Sequence, residues 1–316
     1  MSVYVIPTVP ALYLGESLSR EAPWLKVMYP QPHEKNEKFV LPGGECYCCL
    51  PLVRDLGGQQ VEVVHTGYSK HMSVNDGLEY LRQIMSILTN PISENGRRLK
   101  RPEHLRLHLT SLPYAKQDSN WIRGEVNRAQ QLVQEFLTYF DSLTVIAPHF
   151  TTRNWARRLL RDERVQYITP YDILRDAITS DYQKEFCFVS PGKFARTGFP
   201  TIRTHRTAGL DVVIDDEMPS YIYAGKNVGV VDDITLSGRT ALDFATAFRR
   251  LGVSKLVLAL PHIGTTDALD MLLESEYDRI YTTNSCDVFT PEHLTNSKLT
   301  VLDIAPLLID SMKINN

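Results

Sequence analysis

The chain lacks any apolar run approaching the roughly 18 residues that a membrane-spanning helix requires, so no membrane partner is expected. It also lacks an excess of positive charge. The formal net charge is −3, and no overall basic field invites nucleic acid. The opening segment, MSVYVIPTVP, has no basic stretch followed by an apolar one, which argues against a secretory leader. Cysteine is scarce and odd in number, five in 316 residues, which excludes a disulfide framework. Cys46, Cys48 and Cys49 stand together, yet no second Cys/His pair follows at zinc-finger spacing. With Cys187 and Cys286 they read as buried, reduced thiols, and the expected compartment is the cytoplasm. What remains is a balance of 43% hydrophobic and 22% charged residues, as in globular proteins, in a chain long enough for two domains.

Short β-branched runs alternate with longer helical patterns. Strands are predicted at Val3–Ile6, Val61–Thr66, Leu105–Thr110, Leu143–Ala147, Phe186–Val189, Asp211–Ile214, Val228–Val231, Lys255–Leu260, Arg279–Thr283 and Leu299–Leu302. Helical spacing marks Asp76–Leu88, Val126–Phe140 and Thr240–Leu251, the last with Gly252 where a C-terminal cap belongs. This alternation predicts an α/β fold of mostly parallel sheets flanked by helices. Two halves are expected, 1–161 and 162–302, followed by a C-terminal helical segment, 303–316. The stretch Asn90–Glu103 is polar, basic and rich in breakers, and reads as a solvated loop.

The strongest chemical signal is Val230-Val231-Asp232-Asp233-Ile234-Thr235-Leu236-Ser237-Gly238-Arg239-Thr240. An apolar strand delivers two acids at its carboxyl end, where ligands of open α/β sheets bind. A small-residue turn then opens a helix whose first N–H groups and dipole attract a phosphate. Gly238 lets backbone approach the anion, and the Ser237 and Thr240 hydroxyls add donors. Asp232 and Asp233 have the oxygen chemistry to contact ribose hydroxyls or a magnesium ion bridging to them. An ordinary strand-to-helix turn with an Asp cap is the plain alternative, and it does not account for the whole string.

This string resembles the ribose-phosphate motif of the type I phosphoribosyltransferase fold. Within that fold the chain is similar to the ribose-phosphate pyrophosphokinase (PRPP synthetase) family. Ser111-Leu112-Pro113-Tyr114-Ala115-Lys116-Gln117-Asp118 resembles that family's ATP-contacting Pro-Tyr-x-x-Tyr-Ala-Arg-Gln-Asp segment. Val74–Leu81 resembles its Asn-Asp-x-Leu-Met-Glu-Leu stretch, and Leu41-Pro42-Gly43-Gly44-Glu45 with Val53-Arg54-Asp55 its Phe-x-Asp-Gly-Glu and Val-Arg-Gly elements. Ile146-Ala147-Pro148-His149 stands where the family has Asp-Leu-His. The resemblance runs from about residue 40 to 285. It implies two phosphoribosyltransferase-type domains, a homo-oligomer, ATP and a phosphorylated ribose as partners, and Mg²⁺ as cofactor.

Residue by residue, the resemblance assigns ATP binding to Leu41, Glu45, Lys116, Gln117 and Asp118. It assigns ribose-phosphate binding to Asp232, Asp233, Ser237, Gly238, Arg239 and Thr240, and metal binding to His149, Asp232 and Asp233. His149 is either a general acid/base or a satisfied strand-end histidine. The chain departs from the family at several of its functional positions. A metal-site Ser-Pro-Asp is Ser190-Pro191-Gly192 here, and the cationic Lys-Arg-Arg segment aligns with Asp215-Asp216-Glu217-Met218. The adenine-stacking aromatic falls at Leu41, and the fork-forming arginine at Lys116. Diphosphate transfer needs cations, so Lys193 and Arg196 are candidate catalytic replacements, with Arg203, His205 and Arg206 nearby in sequence. The implied reaction moves a diphosphate from ATP to a 5-phosphoribosyl acceptor, either ribose 5-phosphate or a larger one such as ADP-ribose. A non-catalytic regulatory subunit and a phosphoribosyltransferase are the alternatives.

Overall fold

The computed structural model describes residues 2–51, 56–90, 100–120, 122–159, 161–191, 197–202, 204–206, 212–214 and 222–313. The chain divides into two compact units, 1–168 with 304–316, and 169–303.

In the first unit the elements are β1 (Val3–Pro7), α1 (Leu12–Glu21), β2 (Leu25–Val27), β3 (Gln60–Thr66), α2 (Val74–Thr89), β4 (His104–Ser111), α3 (Arg128–Tyr139), β5 (Ser142–Ile146), α4 (Ala156–Leu159) and β6 (Val165–Ile168). They form one six-stranded sheet of order β2-β1-β3-β4-β5-β6, parallel at every pairing. The helices start where capping chemistry allows. Ser73 accepts the Asp76 N–H ahead of α2, and Asn127 accepts the Gln130 N–H ahead of α3. Leu78, Leu81, Ile84, Met85 and Leu88 then form the buried stripe of α2.

The second unit contains α5 (Tyr171–Tyr182), β7 (Cys187–Pro191), β8 (Thr201–Ile202), β9 (Thr204–Arg206), β10 (Val212–Ile214), β11 (Asn227–Val231), β12 (Ile234–Thr235), α6 (Arg239–Arg250), β13 (Lys255–Leu260), β14 (His262–Ile263), α7 (Thr266–Leu273), β15 (Arg279–Thr283), α8 (Pro291–Leu294) and β16 (Leu299–Leu302). Its main sheet has the order β16-β15-β13-β11-β7-β8 and is again parallel throughout. Two small ribbons are separate: β9 with β10, antiparallel, and β12 with β14, parallel. A final helix, α9 (Ala305–Lys313), returns to the first unit.

The α/β class and the parallel sheets follow the expectation; two boundaries do not. The first unit runs to Ile168 rather than 161, because β6 completes its sheet. β6 is an edge strand whose last three residues are only half-buried, so its apolar signal is weak. The C-terminal segment is part of the first unit, and a buried polar cluster explains why. Alternation along β3 and β4, in register Glu62 with Arg106, puts Gln60, Glu62, Arg106 and His108 on one face. The Glu62 carboxylate takes the Arg106 guanidinium, the Gln60 amide at 2.6 Å and His108 Nε2 at 2.6 Å. Arg106 also donates to the Met312 carbonyl at 3.4 Å, near the C-terminal end of α9, where the helix dipole favours a cation. His108 Nδ1 lies 3.4 Å from the Ser311 hydroxyl.

The cysteines correct a third expectation: all five are free, but only Cys286 is fully buried, the other four being half-buried. Burial still pushes the Cys48 thiol up, to about 11, so it stays protonated near neutrality. Among the described residues no helix is long and apolar enough to cross a membrane. Of the predicted loop at Asn90–Glu103, residues 91–99 lie outside the described ones.

On the opposite face of the first sheet, His65 is 1% exposed and its Nδ1 lies 2.9 Å from Thr8 Oγ1. Burial lowers its pKa to about 3. A depressed histidine pKa contributes stability that is complete above the unfolded value, about 6.5, and is lost as pH falls through the folded one. Between pH 6.5 and 5 the wild type should therefore lose about 2 kcal/mol through this group. Urea titrations should show that His65→Gln flattens this slope; an unchanged slope would mean that His65 is charged in the fold.

Candidate functional site

In the second sheet the chain goes outward from β7 to β8 and then resumes on the other side at β11, so the strand order reverses between β7 and β11. Ligand crevices of open parallel sheets form at the carboxyl ends of such a pair. There β11 is followed directly by Asp232 and Asp233, which have different surroundings. Asp233 is 1% exposed and its Oδ1 accepts the Ile234 N–H at 2.8 Å. Its carbonyl accepts the His262 N–H at 3.2 Å, at the start of the β12–β14 ribbon. Asp232 is half-buried, and its Oδ1 accepts the Asp233 N–H at 2.9 Å. Asp233 thus braces the turn, while Asp232 retains access to solvent.

Two threonines shape the next turn. Thr235 Oγ1 accepts the Gly238 N–H at 2.9 Å, and Thr265 Oγ1 donates to the Leu236 carbonyl at 2.9 Å. Gly238 sits at φ 71°, ψ −21°, as the N-cap of α6, and no side chain among the described residues caps that helix. A Cβ at position 238 would lie 3.4 Å from the Ala268 carbonyl oxygen. The loop therefore leads into a helix end whose opening N–H groups have no side-chain cap, with Ser237 and Arg239 exposed and Thr240 half-buried beside it. Oriented N–H groups and the helix dipole make such an end attractive to an anion. The apolar stripe Ala241, Phe244, Ala245 and Phe248 is buried and fixes α6 on the sheet. Tyr277 stays a neutral phenol; burial first, and the Asp232 charge second, push its pKa well up, and its hydroxyl donates to the Ala241 carbonyl at 2.9 Å.

In the first unit, Lys116, Gln117 and Asp118 follow β4, and His149 follows β5, the neighbouring strand. Lys116 and Gln117 are exposed and, with Ser119, Gly124, Glu125 and Val126, line a cleft of about 400 Å³. Asp118 is 1% exposed, and its carboxylate is paired with Arg153 at 2.8 Å. Asp118 is therefore turned into the protein, unlike its two neighbours. His149 is 7% exposed, two residues after Ala147, which holds a left-handed φ of 40°. The ends of β3 and β4 meet closely: Thr66 Oγ1 and Ser111 Oγ are 2.8 Å apart, and a Cβ on Gly67 would lie 2.5 Å from the Pro113 nitrogen.

Leu41 and Glu45 flank a tight turn instead. The Leu41 N–H donates to the Glu45 carbonyl at 2.8 Å, with Gly44 at φ 84°. Glu45 is exposed, Leu41 is half-buried, and among the described residues no hydrogen bond joins this turn to Lys116–Asp118. Lys193, Arg196, Arg203, the segment 215–218 and the segment 52–55 lie outside the described residues. For His205 and Arg206 only the backbone, in β9, is described. The sequence reading missed Thr265, Arg153 and Trp155. Thr265 belongs to the loop only because β12 pairs with β14, a contact that no local spacing reveals.

No family model matches the chain. A ribose-phosphate pyrophosphokinase of Sulfurisphaera tokodaii is 23% identical over 300 residues, covering 88% of this chain and 91% of that protein. Over most of its length the chain is therefore similar to a ribose-phosphate pyrophosphokinase. The crystal structure of phosphoribosylpyrophosphate synthetase from Mycobacterium smegmatis superposes with a TM-score of 0.76 at 20% identity. The match covers 99% of this chain and 98% of that one, so the likeness in fold extends over both units.

The positive φ at Gly238 generates a direct test. Gly238→Ala should cost about 1–2 kcal/mol in chemical denaturation, the penalty of left-handed backbone for an ordinary side chain. Gly238→Asn should cost less, because Asn tolerates that region. Equal stability of the Ala and Gly proteins would show that the turn forms without a left-handed residue.

Proposed function

We propose that the chain transfers the β,γ-diphosphate of ATP to the anomeric hydroxyl of a 5-phosphoribosyl acceptor, releasing AMP. The observation that carries this reading is the loop from Asp232 to Gly238: a solvent-accessible acid at a strand's end, followed by a left-handed glycine and a helix start that no described side chain caps. Similarity along nearly the full chain to ribose-phosphate pyrophosphokinases supports it.

In this reading the residues Ser237–Thr240 hold the acceptor's 5-phosphate through backbone N–H groups and the helix dipole. Asp232 orients the ribose through its hydroxyls. Lys116 and Gln117, exposed beside the cleft in the first unit, take ATP. A bond forms from the anomeric oxygen to the β-phosphorus, and the bond from that phosphorus to the α,β-bridging oxygen breaks, leaving AMP. The hydroxyl proton is assigned to His149, with Lys193 and Arg196 assigned to the migrating charge. Ribose 5-phosphate is the simplest acceptor, and ADP-ribose presents a phosphate at the same 5-position.

Among the described residues no group of three or more His, Cys, Asp or Glu gathers as a metal cage. Mg²⁺ does not need one, since it keeps several waters and takes one or two carboxylates with substrate phosphates. A half-buried carboxylate beside an anion-attracting helix end fits that donor chemistry, so Asp232, braced by Asp233, is the residue to hold it. Bound there, Mg²⁺ supplies neutralisation of diphosphate charge.

The test follows AMP release from ATP with a panel of phosphorylated riboses. Asp232→Asn should lower turnover at least ~100-fold with the fold intact, as expected for loss of a positioning and metal-holding group. Full turnover in that variant would remove Asp232 from the site. Pyrophosphate without AMP from the wild type would instead identify a phosphoribosyltransferase, and neither product a non-catalytic subunit.

A further inference from the structure

Two turns of the first unit, one with Lys116 and Gln117 and one with His149, carry residues assigned to the reaction, and they are tied together through Arg153 and Trp155, to which the reaction gives no role. The Lys116–Gln117 turn is compact. Tyr114 holds a left-handed φ of 59°, and the Gln117 N–H closes onto the Tyr114 carbonyl at 2.8 Å. The Gln117 carbonyl accepts the Ala129 N–H at 3.1 Å, in the first turn of α3. From the other side, the loop after His149 reaches back to Asp118. Arg153 Nε donates to Asp118 Oδ2 at 2.8 Å, and Trp155 Nε1 donates to the Asp118 carbonyl at 2.8 Å. Asn127 Nδ2 donates to the same carbonyl at 3.0 Å while its Oδ1 caps α3. The Trp155 ring rests on Phe150, centroids 4.8 Å apart, and Phe150 is fully buried directly after His149.

The chemistry of Asp118 makes this a latch rather than incidental packing. Its side chain is 1% exposed, and among the described residues its second oxygen, Oδ1, has no hydrogen-bond partner. A buried carboxylate is costly without a counter-charge, so Arg153 is what allows Asp118 to stay turned inward. With Asp118 inward, its neighbours Lys116 and Gln117 remain exposed on the cleft side. Arg153 itself is part of the loop that begins at His149, so one ion pair and one indole bond set the spacing of both turns.

We propose that Arg153 and Trp155 are positioning residues that lock the turn bearing Lys116 and Gln117 to the turn bearing His149. The consequence for nucleotide binding rests on the proposed diphosphokinase reading; the latch itself does not. A turn held in one conformation before binding does not have to be ordered by the ligand, so the latch serves affinity more than chemistry.

The first measurement needs no substrate. Amide hydrogen exchange of the full-length protein should show the Gln117 N–H exchanging at least ~10-fold faster in Arg153→Met and in Trp155→Phe, with amides in the centre of β4 unchanged. Because Arg153→Met strands a buried carboxylate, Arg153→Met with Asp118→Asn is the companion variant, and Trp155→Phe keeps the ring while removing the donor. The second measurement is kinetic. Arg153→Met should raise KM for ATP by ~10-fold or more while kcat changes less than ~3-fold, and Arg153→Lys should recover part of the loss. Unchanged Gln117 exchange in Trp155→Phe and in the double variant overturns the latch. Faster exchange with an unchanged KM keeps the latch and overturns its role in binding. A wild type that binds no ATP in calorimetry overturns the functional reading, and the exchange result still decides the latch.

Discussion

Parallel pairing is the constraint on which everything else depends. Every strand pair within the two six-stranded sheets runs parallel, so each connection must cross back over a sheet face before the next strand begins. The carboxyl ends of all strands in a sheet therefore open along the same edge. In the first unit that edge gathers the turns after β3, β4 and β5; in the second it gathers the Asp232–Gly238 loop and the His262 ribbon. Residues far apart in sequence become neighbours at that edge because the sheet admits no other arrangement.

The edge then has to satisfy its own polar groups, and small side chains do most of this. Thr235 and Thr265 pull the Asp232–Gly238 loop tight, and Thr66 with Ser111 joins the ends of β3 and β4. Acids are divided between two duties. Asp233 and Asp118 are turned inward and braced, and each directly adjoins exposed or half-exposed residues that carry the proposed chemistry. The inward acid fixes the backbone, and a fixed backbone presents its neighbour at low entropic cost.

Buried charge also defines the extent of the first unit. Glu62, Arg106 and His108 occupy a sheet face that parallel α/β proteins ordinarily fill with aliphatic side chains. Their partners include the Met312 carbonyl and the Ser311 hydroxyl, so α9 lies on that face and supplies two of the cluster's contacts, while Arg106 Nε and Nη1 have no hydrogen-bond partner among the described residues. The segment 304–316 belongs with the first unit for this reason, although the second unit precedes it in the chain.

Period and punctuation in the sequence determined the α/β class, ten of the strands and the Asp232–Thr240 loop, because each depends on residues close together along the chain. Strand limits at Lys255–Leu260, Arg279–Thr283 and Leu299–Leu302 were legible to the residue. The strands β2, β6, β8, β9, β12 and β14 were not, since two to four residues give little alternation to register; β10 and β16 are as short but carry β-branched apolar runs. Tertiary structure alone decided that Asp232 and Asp233 differ, that Asp118 faces inward onto Arg153, and that α9 returns to the first unit. Residue type states which groups can carry charge or donate a bond; only the packed sheet determines which of them is left facing solvent and which must find a partner inside.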